Sequence, residues 1–384
     1  MKPTRFSVAA ALLGGLVIVC APEAAKAGTQ KVYPGDSIQA AVDAAQPGDK
    51  IVVFPGEYIE THAGFNGVTV TKSLKMVGKK KGTAKVVLKA GPGQDDGILV
   101  EGTEETPIDG FRIKGFTVEG FPGNGIHLRY VNNFRIDRNE SINNLENGIF
   151  PTLSANGMVK RNLSYGSADS ALWVEASTDV RVLDNILHSS PTGLEVTVSN
   201  NVEIRGNEVY NNTVGMGLYH PNAASLPPIP QMVNWEIIDN YVHDNNAPNN
   251  APPGSMSSAL PPGGGILVLG TDGAIIMKNV VEDNDFYGIA IVDWCLANEG
   301  TDYDCDNIPM DPGINEYPEQ NIVQDNEFIN NGNNPTGHPL APYAADITYI
   351  AFDGYGNCFA RNDYTTRKWA VVMPPTMQGN TKCI

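Results

Sequence analysis

The chain repeats one short pattern in four successive segments: Asn124-Gly125-Ile126-His127-Leu128, Asn147-Gly148-Ile149-Phe150-Pro151, Ser170-Ala171-Leu172-Trp173-Val174 and Thr192-Gly193-Leu194-Glu195-Val196. The small second residue recurs every 22 or 23 positions, and Gly265 and Gly288 are again 23 apart. Turn asparagines keep the same interval, at positions 139, 162, 185 and 207. A fixed period of this length indicates a solenoid in which each repeat stacks on the previous one.

Between these markers, short alternating apolar runs are broken by Asn, Asp and Gly, as is typical of short strands joined by tight turns. We therefore predict an all-β fold, a single-stranded right-handed parallel β-helix with about 23 residues per coil. Its coils should lie ~4.8 Å apart and stack their asparagines as an amide ladder. Residues 37–45 predict a short amphipathic helix that caps the open strand edges, with the first coil opening at Ile51.

The chain begins with a basic segment, an apolar run and the small-x-small sequence Ala25-Lys26-Ala27. This order predicts a secretory signal peptide over residues 1–27, and hence a periplasmic or secreted protein. Lipidation at Cys20 is the alternative. The apolar run is too short to span a membrane. Residues 28–384 are expected to form one β-helix domain.

The formal net charge of −17 disfavours nucleic acid, anionic lipid and, unless a cation intervenes, polyanionic sugars as partners. Four cysteines remain once the leader is removed. An even number in an oxidising compartment predicts two disulfides, and proximity favours Cys295–Cys305 and Cys358–Cys383.

Four segments interrupt the repeat: residues 220–231, 245–264, 296–320 and 332–345. The first two are rich in Pro, Asn, Ser and Gly, and the third contains Cys305. Between the small residues Gly217 and Gly265 the interval is 48 residues, about one coil longer than the repeat allows. Loops on a regular scaffold often carry function, so these segments are expected to build a wall or lid along one side of the solenoid.

The second loop resembles a known family in the stretches Asp244-Asn245-Asn246-Ala247-Pro248-Asn249-Asn250-Ala251-Pro252-Pro253-Gly254 and Pro262-Gly263-Gly264-Gly265-Ile266-Leu267-Val268. The family comprises exported bacterial parallel β-helix repeat proteins of the pectin-lyase-like superfold, often encoded beside a di-haem c-type cytochrome and of unassigned function. This resemblance implies the fold, the exported location and an envelope or redox-linked role. The segment Ile38–Tyr58 is also similar to the starts of pectin-lyase-like and copper-delivery β-helix proteins. This similarity is shared too broadly to identify a substrate.

Alternation along the first strand of each coil predicts an outward column of His127, Phe150, Trp173 and Glu195. Tyr219 extends it if Leu218 faces inward. A solvated sheet face does not ordinarily stack aromatic residues, and an aromatic ribbon flanked by charges suits a sugar-binding cleft. The alternative is that the loops after Tyr219 bury the column as ordinary packing.

A second outward column contains Arg129, Thr152, Glu175 and Thr197. Strand geometry puts the backbones of Glu175 and Glu195 roughly 8 Å apart, a separation at which carboxylates can serve glycoside hydrolysis. A lyase or epimerase would instead use Tyr or His for proton transfer and an Arg or cation for the substrate carboxylate.

His127, Arg129, Tyr219 and His220 supply those residue types. However, Tyr219-His220-Pro221-Asn222 departs from the Asp-Pro-His-Asp pattern of mannuronan epimerases. Arg112-Ile113-Lys114 is similar to a polygalacturonase tripeptide, but it lies too early in the chain and lacks the paired aspartates of that family.

Asp302, Asp304 and Asp306 have the D-x-D-x-D spacing that brings oxygen ligands around Ca²⁺. Asn307 and Gly313 replace the glycine and the terminal glutamate of an EF-hand, so the hypothesis is a different calcium loop, with a solvated acidic loop as its alternative. No other cofactor is indicated.

Our leading hypothesis is an exported β-helix protein that binds a polysaccharide along this groove, with hydrolase, lyase or epimerase activity as the enzymatic form. The candidate catalytic residues are Glu175, Glu195, His127 and Tyr219, and the candidate substrate-binding residues are Phe150, Trp173, Arg129 and His220. The competing hypothesis is a non-enzymatic envelope scaffold that partners a c-type cytochrome or another electron-transfer protein.

Overall fold

The computed structural model describes residues 27–62, 64–220, 232–301, 304–307, 310, 315–335, 341–351, 354–365 and 369–372. The predicted signal peptide, Pro221 to Gln231 of the first loop, Asp302 and Cys383 lie outside these residues. Within them, three long parallel sheets run side by side along one axis, which confirms the predicted parallel β-helix.

Each complete coil adds one strand to sheet C, then to sheet A, then to sheet B. The strands of sheet A are Thr29–Val32, Lys50–Val53, Lys75–Gly78, Ile108–Asp109, Arg112–Lys114, Val131–Asn132, Arg135–Asp137, Ala155–Lys160, Thr178–Leu183, Asn200–Arg205, Glu236–Ile238, Ile275–Met277, Ile322–Gln324 and Cys358–Ala360. Those of sheet B are Gly56–Ile59, Val86–Lys89, Phe116–Glu119, Glu140–Ile142, Leu163–Tyr165, Ile186–His188, Glu208–Tyr210, Tyr241–His243, Val280–Glu282, Glu327–Ile329 and Asp363–Tyr364. Those of sheet C are Val68–Val70, Ile98–Glu101, Ile126–Arg129, Ile149–Thr152, Ser170–Glu175, Thr192–Thr197, Val214–Tyr219, Gly264–Leu269, Tyr287–Val292, Ala345–Ile350 and Trp369–Val372.

A buried amide ladder fixes the register of the coils at the turn between sheets A and B. The side chain of Asn162 donates to Asn185 at 2.9 Å, and Asn185 donates to Asn207 at 2.9 Å. The same bond links successive members of the whole ladder: Asn139, Asn162, Asn185, Asn207, Asn240, Asn279, Asn326 and Asn362. Each amide therefore satisfies its neighbour in an interior where an unpaired amide would be costly.

The turn that presents each ladder asparagine needs a left-handed residue directly before it. Those residues have φ between 51° and 66°: Arg138, Arg161, Asp184, Gly206, Asp239, Lys278, Asp325 and Arg361. Most residues with a Cβ adopt this conformation only at some cost in free energy. Its recurrence in every coil shows that the turn geometry is imposed by the ladder and the stacked strands.

The small residue of each repeat faces inward, where sheet C approaches sheet B. A side chain at Gly125 would collide with Ser141, and one at Gly148 would collide with Ser164. Ala171 is the largest residue found at this place among the four repeats quoted above. The residue directly after it, such as Ile126 or Ile149, continues the core, which explains why a small residue and an aliphatic residue always occur together.

The predicted capping helix is confirmed as Ile38–Ala44. Ser37 is its N-cap, with its hydroxyl accepting the Ala40 N–H at 3.0 Å. The buried carboxylate of Glu60 accepts the Ile38 N–H at 2.6 Å and so places a negative charge at the helix N-terminus. The helix buries Ile38 and Val42 and covers the apolar interior of the first coil.

Two expectations about the coils were wrong. The solenoid opens at the strand Thr29–Val32, which pairs with Lys50–Val53, so it begins one strand before Ile51. The residue equivalent to Gly265 in the preceding coil is not Gly217, because Val214–Tyr219 pairs with Gly264–Leu269 in a register that aligns Gly215 with Gly265. In this register the small residue before Gly265 is Gly215, and the additional length lies in loops.

The loops contain the remaining helical turns, a 3₁₀ helix at Met256–Ala259, an α-helical turn at Trp294–Ala297 and a 3₁₀ helix at Ala341–Tyr343. The disulfide Cys295–Cys305 is present as predicted. Cys358 is also disulfide-bonded, but its expected partner, Cys383, lies outside the described residues. Among the described helices, none is long and apolar enough to cross a bilayer.

Asn185→Ala is expected to destabilise the protein by roughly 2–3 kcal/mol, because it leaves the buried amide groups of its ladder neighbours unpaired. Urea unfolding followed by circular dichroism measures this change. Glu236→Gln, an exposed substitution on sheet A, is the control. A loss of stability in Asn185→Ala no greater than in the control would show that the ladder does not hold the coils together.

Candidate functional site

Three aromatic rings stack on the outer face of sheet C, at the place where the sequence predicts a binding groove. Their strands pair in register, and the rings of His127 and Phe150 stack with centroids 4.8 Å apart and an interplanar angle of 22°. Phe150 and Trp173 stack in turn at 4.7 Å and 18°. The indole Nε1 of Trp173 donates to the Thr197 hydroxyl at 2.8 Å, which fixes the orientation of the last ring.

The second outward column forms one edge of this groove. Thr152 donates its hydroxyl to Glu175 at 3.0 Å, and Arg129 lies 3.5 Å from Glu101. Burial raises the pKa of Glu175 above its ordinary value, more than the Thr152 hydrogen bond and the nearby His127 lower it. Glu175 therefore retains its proton to higher pH than a solvated glutamate, as a general acid must.

A histidine–aspartate pair lies at the N-terminal end of the groove. The Nδ1 atom of His127 is 2.8 Å from Asp96, whose other oxygen accepts the backbone and side-chain N–H groups of Asn124 at 2.7 and 2.8 Å. Burial acts to raise the pKa of Asp96, but His127 and Asn124 together outweigh it and lower that pKa. The Nε2 atom of His127 has no hydrogen-bond partner within the described part of the chain.

Further carboxyl groups form the opposite edge. Burial raises the pKa of Asp95, and the charge of Asp96 adds to this. Burial followed by the charges of Asp95 and Asp96 raises the pKa of Glu146. His127 acts electrostatically on Asp95, Asp96, Glu146 and Glu175, so its ring is the shared neighbour of all four carboxyl groups. Carboxyl groups of raised and lowered pKa thus share one site.

Sequence reasoning missed Asp95, Asp96, Glu146 and Asp169. A signal was present, because Asp95, Glu146 and Asp169 each stand two places before the small residue of a coil. This position lies at the turn into sheet C, one place ahead of the quoted pattern. A repeat alignment extended by two residues would have shown a third column beside the aromatic one.

The C-terminal part of the same face is covered by the loop that follows Asn245. Ser257 of this loop donates its hydroxyl to Asp169, and Met256 and Leu260 pack on the apolar residues below. Beneath the loop lies a mostly apolar cavity of about 460 Å³, with Glu195 among its lining residues. The predicted column is therefore open over three coils and covered beyond them.

Glu195 lies at the border between the two parts. It pairs in register with Trp173 but is buried, and the Ser170 hydroxyl donates to it at 2.6 Å. Burial and the charge of Asp169 raise the pKa of Glu195 well above its ordinary value. The side chain therefore faces the covered end and keeps its proton to higher pH than a solvated glutamate.

The expected place of Tyr219 was wrong. Gly217 pairs with Glu195, and Tyr219 pairs with Thr197, so Tyr219 belongs to the second column. A side chain at Gly217 would collide with the Tyr219 ring, which shows that this ring folds back over the glycine. Tyr219 and His220 are both buried, and burial lowers the pKa of His220 to about 4. Neither residue lies in the open groove.

The acidic loop that was expected to bind Ca²⁺ lies beyond the disulfide. Asp304 accepts the backbone N–H groups of Gly300 and Asp306 at 2.7 and 2.9 Å. These bonds hold the pKa of Asp304 below its ordinary value. Asp302 lies outside the described residues, so calcium binding by this loop stays a prediction. Elsewhere in the described chain, no three His, Cys, Asp or Glu side chains are grouped as metal ligands.

Comparison with known proteins establishes the fold. A family model described as a right-handed β-helix region matches residues 83–226. The A-module of a mannuronan C-5 epimerase from Azotobacter vinelandii superposes with a TM-score of 0.60 and 17% identity, over 90% of this chain and 92% of that one. A DFA-IIIase from Arthrobacter chlorophenolicus superposes with a TM-score of 0.59 and 14% identity, over 88% and 84%.

A protein of Geobacillus virus E2 has the same fold, with a TM-score of 0.58, 11% identity and coverage of 87% and 62%. No curated protein sequence matches the chain. The protein therefore has a right-handed parallel β-helix fold, as the resemblance implied. The association with a cytochrome stays a prediction.

The stability of the wild-type protein is expected to fall as pH rises because of Glu195, and Glu195→Gln should remove this fall. The folded protein keeps the Glu195 proton above the ordinary pKa of 4.5, so it binds more protons than the unfolded chain and wild-type stability falls as pH rises. The variant should therefore gain stability relative to wild type as pH rises above the ordinary glutamate pKa. Thermal unfolding at several pH values measures the difference.

Glu203→Gln is the control of opposite sign. Burial works to raise the pKa of Glu203, but the hydrogen bonds and charges of Arg205 and Arg181 hold it below its ordinary value. Its stabilisation is present above that ordinary value and lost as pH falls, so this variant should lose stability at neutral pH. A Glu195→Gln curve parallel to that of wild type would contradict a buried neutral Glu195.

Proposed function

We propose that the groove on sheet C binds a neutral polysaccharide and that the protein is an exported carbohydrate-active enzyme. The observation that carries this proposal is one continuous stack of three rings beside carboxyl groups of separated pKa. Phe150 is buried between its neighbours, so the stack would meet a sugar through the edges and faces of His127 and Trp173, and the apolar faces of sugar rings suit such a contact. His127 and Trp173 are only partly exposed, so the sugar would complete a surface that the protein leaves half covered.

The charges of the groove favour an uncharged glycan. Its edges contain the carboxyl groups of Asp95, Asp96, Glu146 and Glu175. Its cation, Arg129, lies in the same column as Glu175 and beside Glu101. An anionic uronate would be repelled by this surface, and each uronate carboxylate would further raise the pKa of its neighbours. A neutral sugar presents hydroxyl groups, which carboxyl oxygens can bind.

Acid–base chemistry has suitable partners in the same groove. Glu175 keeps a proton and can donate it to a glycosidic oxygen, while Asp96 stays ionised and orients His127. The Nε2 atom of His127 is buried, so the role of His127 here is to keep Asp96 ionised as the candidate base. Groups with pKa values pushed apart by their surroundings are the usual arrangement for acid and base in one site.

The structural neighbours add limited support. The Azotobacter modules are named for epimerisation of mannuronan, a polysaccharide, and the Arthrobacter DFA-IIIase structure is a complex with GF2. At 17% identity or less these likenesses concern the fold. Hydrolysis or glycosyl transfer fits the residues of this groove better than uronate epimerisation, because the pattern Tyr219-His220-Pro221-Asn222 differs from that of the epimerases and lies away from the open groove.

Trp173→Ala is expected to weaken binding of the preferred neutral glycan by about tenfold, since a stacked ring contributes about 1–1.5 kcal/mol. Titration calorimetry against xylan, laminarin, inulin and soluble starch measures the affinities, with alginate as an acidic comparison. Tyr210→Ala is the matched control, because Tyr210 lies in a similar stack with His188 on sheet B. Equal losses in the two variants, or no binding of any glycan by wild type, would contradict the proposal.

Glu175→Gln is expected to lower turnover of the bound glycan by about a hundredfold or more while leaving its affinity within a few-fold, because the variant loses a general acid but no ring. Reducing-end assays and NMR spectra of the products measure turnover. Glu203→Gln, on sheet A, should retain full activity. A fully active Glu175→Gln variant would remove Glu175 from the mechanism.

A scaffold function is the second candidate, and the excess of acidic residues in the C-terminal coils favours it. If no glycan binds and a basic c-type cytochrome is retained by the immobilised protein in a salt-sensitive manner, the scaffold hypothesis replaces the enzymatic one. Export and a periplasmic or secreted location belong to both proposals.

A further inference from the structure

A column of cations follows the outer face of sheet A, on a different side of the solenoid from the aromatic groove. Lys50 pairs with Lys75, Lys75 with Arg112, and Arg112 with Arg135, each on the next coil. Like charges directly opposite each other on neighbouring strands destabilise a sheet. Four in succession therefore need an explanation beyond the stability of the fold.

Further cations adjoin this column, and one carboxylate serves three of them. Asp137 accepts hydrogen bonds from Arg135, Arg138 and Arg161 at 3.0, 3.2 and 2.9 Å. In the described part of the chain, four other cations of this surface make no ion pair: Lys50, Lys75, Arg112 and Lys114. We call these eight residues, the seven cations and Asp137, the basic stripe.

The basic stripe lines a concave surface. An open groove of about 550 Å³ is lined by all eight of its residues together with Met76, Val77 and Ile113. A neighbouring depression of about 360 Å³ shares Arg112 and Arg135 with it and extends as far as Arg181. The groove therefore runs along the coil axis, across successive strands.

The chain pairs its cations elsewhere on the same sheet. Arg181 and Arg205 each lie 2.9 Å from Glu203, and Arg205 is also 2.6 Å from Asp239. The sequence shows the same division, because residues 28–138 contain 14 Lys or Arg and 13 Asp or Glu, whereas residues 139–384 contain 9 and 29. The basic stripe is thus a local feature of a protein that is otherwise strongly acidic.

We propose that the basic stripe binds a linear acidic polysaccharide, a polyuronate, that lies along the coil axis. Neighbouring coils present cations ~4.8 Å apart, a spacing that suits a polymer with one carboxylate on each monomer. The guanidinium groups of Arg112 and Arg135 can bind carboxylates through paired N–H donors, and the lysines supply additional positive charge.

The shape and chemistry of the groove favour this polymer over nucleic acid. A single thin chain touches only the basic stripe, whereas a wide duplex would also meet the acidic coils beyond it. Single-stranded nucleic acid is usually held by aromatic residues that stack on its bases. The described residues that line the main groove include no aromatic side chain.

This second site does not depend on the function of the sheet C groove. The two surfaces lie on different sheets, so an anionic chain on sheet A leaves the rings of His127, Phe150 and Trp173 accessible. Binding at sheet A would hold the protein on an anionic matrix while a neutral glycan occupies sheet C.

The test uses the double variant Arg112→Gln/Lys114→Gln, since both side chains are exposed and unpaired. Affinity for polygalacturonate at low ionic strength should fall by about tenfold, because each removed cation loses up to about 1 kcal/mol of exposed ion pairing. Affinity electrophoresis with polygalacturonate in the gel measures the change. The matched control, Arg205→Gln/Arg361→Gln, removes the same charge from the same side of the solenoid, but its arginines are paired with Glu203, Asp239 and Asp325 and line neither depression, so affinity should stay within about twofold of wild type.

Each other outcome overturns the proposal. If polygalacturonate does not retard the wild-type protein, the protein lacks the site. Equal losses of affinity in the two double variants would mean that only net charge matters. Tighter binding of polyphosphate or single-stranded DNA than of polygalacturonate would assign the stripe to a phosphate polymer instead. Trp173→Ala should bind polygalacturonate like wild type, which separates this site from the sheet C groove. Thermal unfolding of both double variants confirms that they are folded.

Discussion

The buried asparagine ladder is the interaction on which the rest of the structure depends. Because side chains on a strand alternate between two faces, a slip of one residue in one coil would exchange its inward and outward side chains. The ladder from Asn139 to Asn362 excludes such a slip, since every amide must meet the one above and the one below. With the register fixed, equivalent positions in successive coils become columns on the surface.

Each sheet then presents a column of different chemistry, although all three are built in the same way. Sheet C stacks His127, Phe150 and Trp173; sheet B stacks Tyr165, His188 and Tyr210; sheet A aligns lysines and arginines. What distinguishes the face of sheet C is its loop, which covers part of the column and leaves the remainder as a groove. The resulting change in solvation, from half-exposed Glu175 to buried Glu195, gives adjacent coils carboxyl groups of different proton affinity.

Much of the fold could be predicted from the sequence because the repeat itself encodes the register. The small residues of the four quoted coils, the first four ladder asparagines and the capping helix each follow from local rules and were found. The place of Tyr219 could not be read in the same way, because Gly215 and Gly217 are both small and the pattern does not say which is equivalent to Gly193. Pairing with Gly264–Leu269 decides between them, and that strand lies beyond two loops of unrelated sequence.

The candidate site was predictable only where its residues share the repeat. His127, Phe150, Trp173 and Glu175 came from alternation alone, whereas Asp96 joins the site through a hydrogen bond across coils and Ser257 through a loop. The burial of Glu195 and His220 depends on that loop as well. Net charge was misleading for a related reason: a value of −17 describes the whole chain and conceals the cations aligned on sheet A.

The uneven distribution of charge along the coils gives the molecule a large electric dipole. The coils near the capping helix are almost neutral and contain the basic stripe, whereas the later coils have a threefold excess of acidic over basic residues. In a rod whose charge is graded in this way, the dipole moment has a component along the long axis. An external field, such as that of a negatively charged polymer network, therefore exerts a torque on the molecule as well as a force. The protein would turn its capped end towards the negative surface before any specific contact forms.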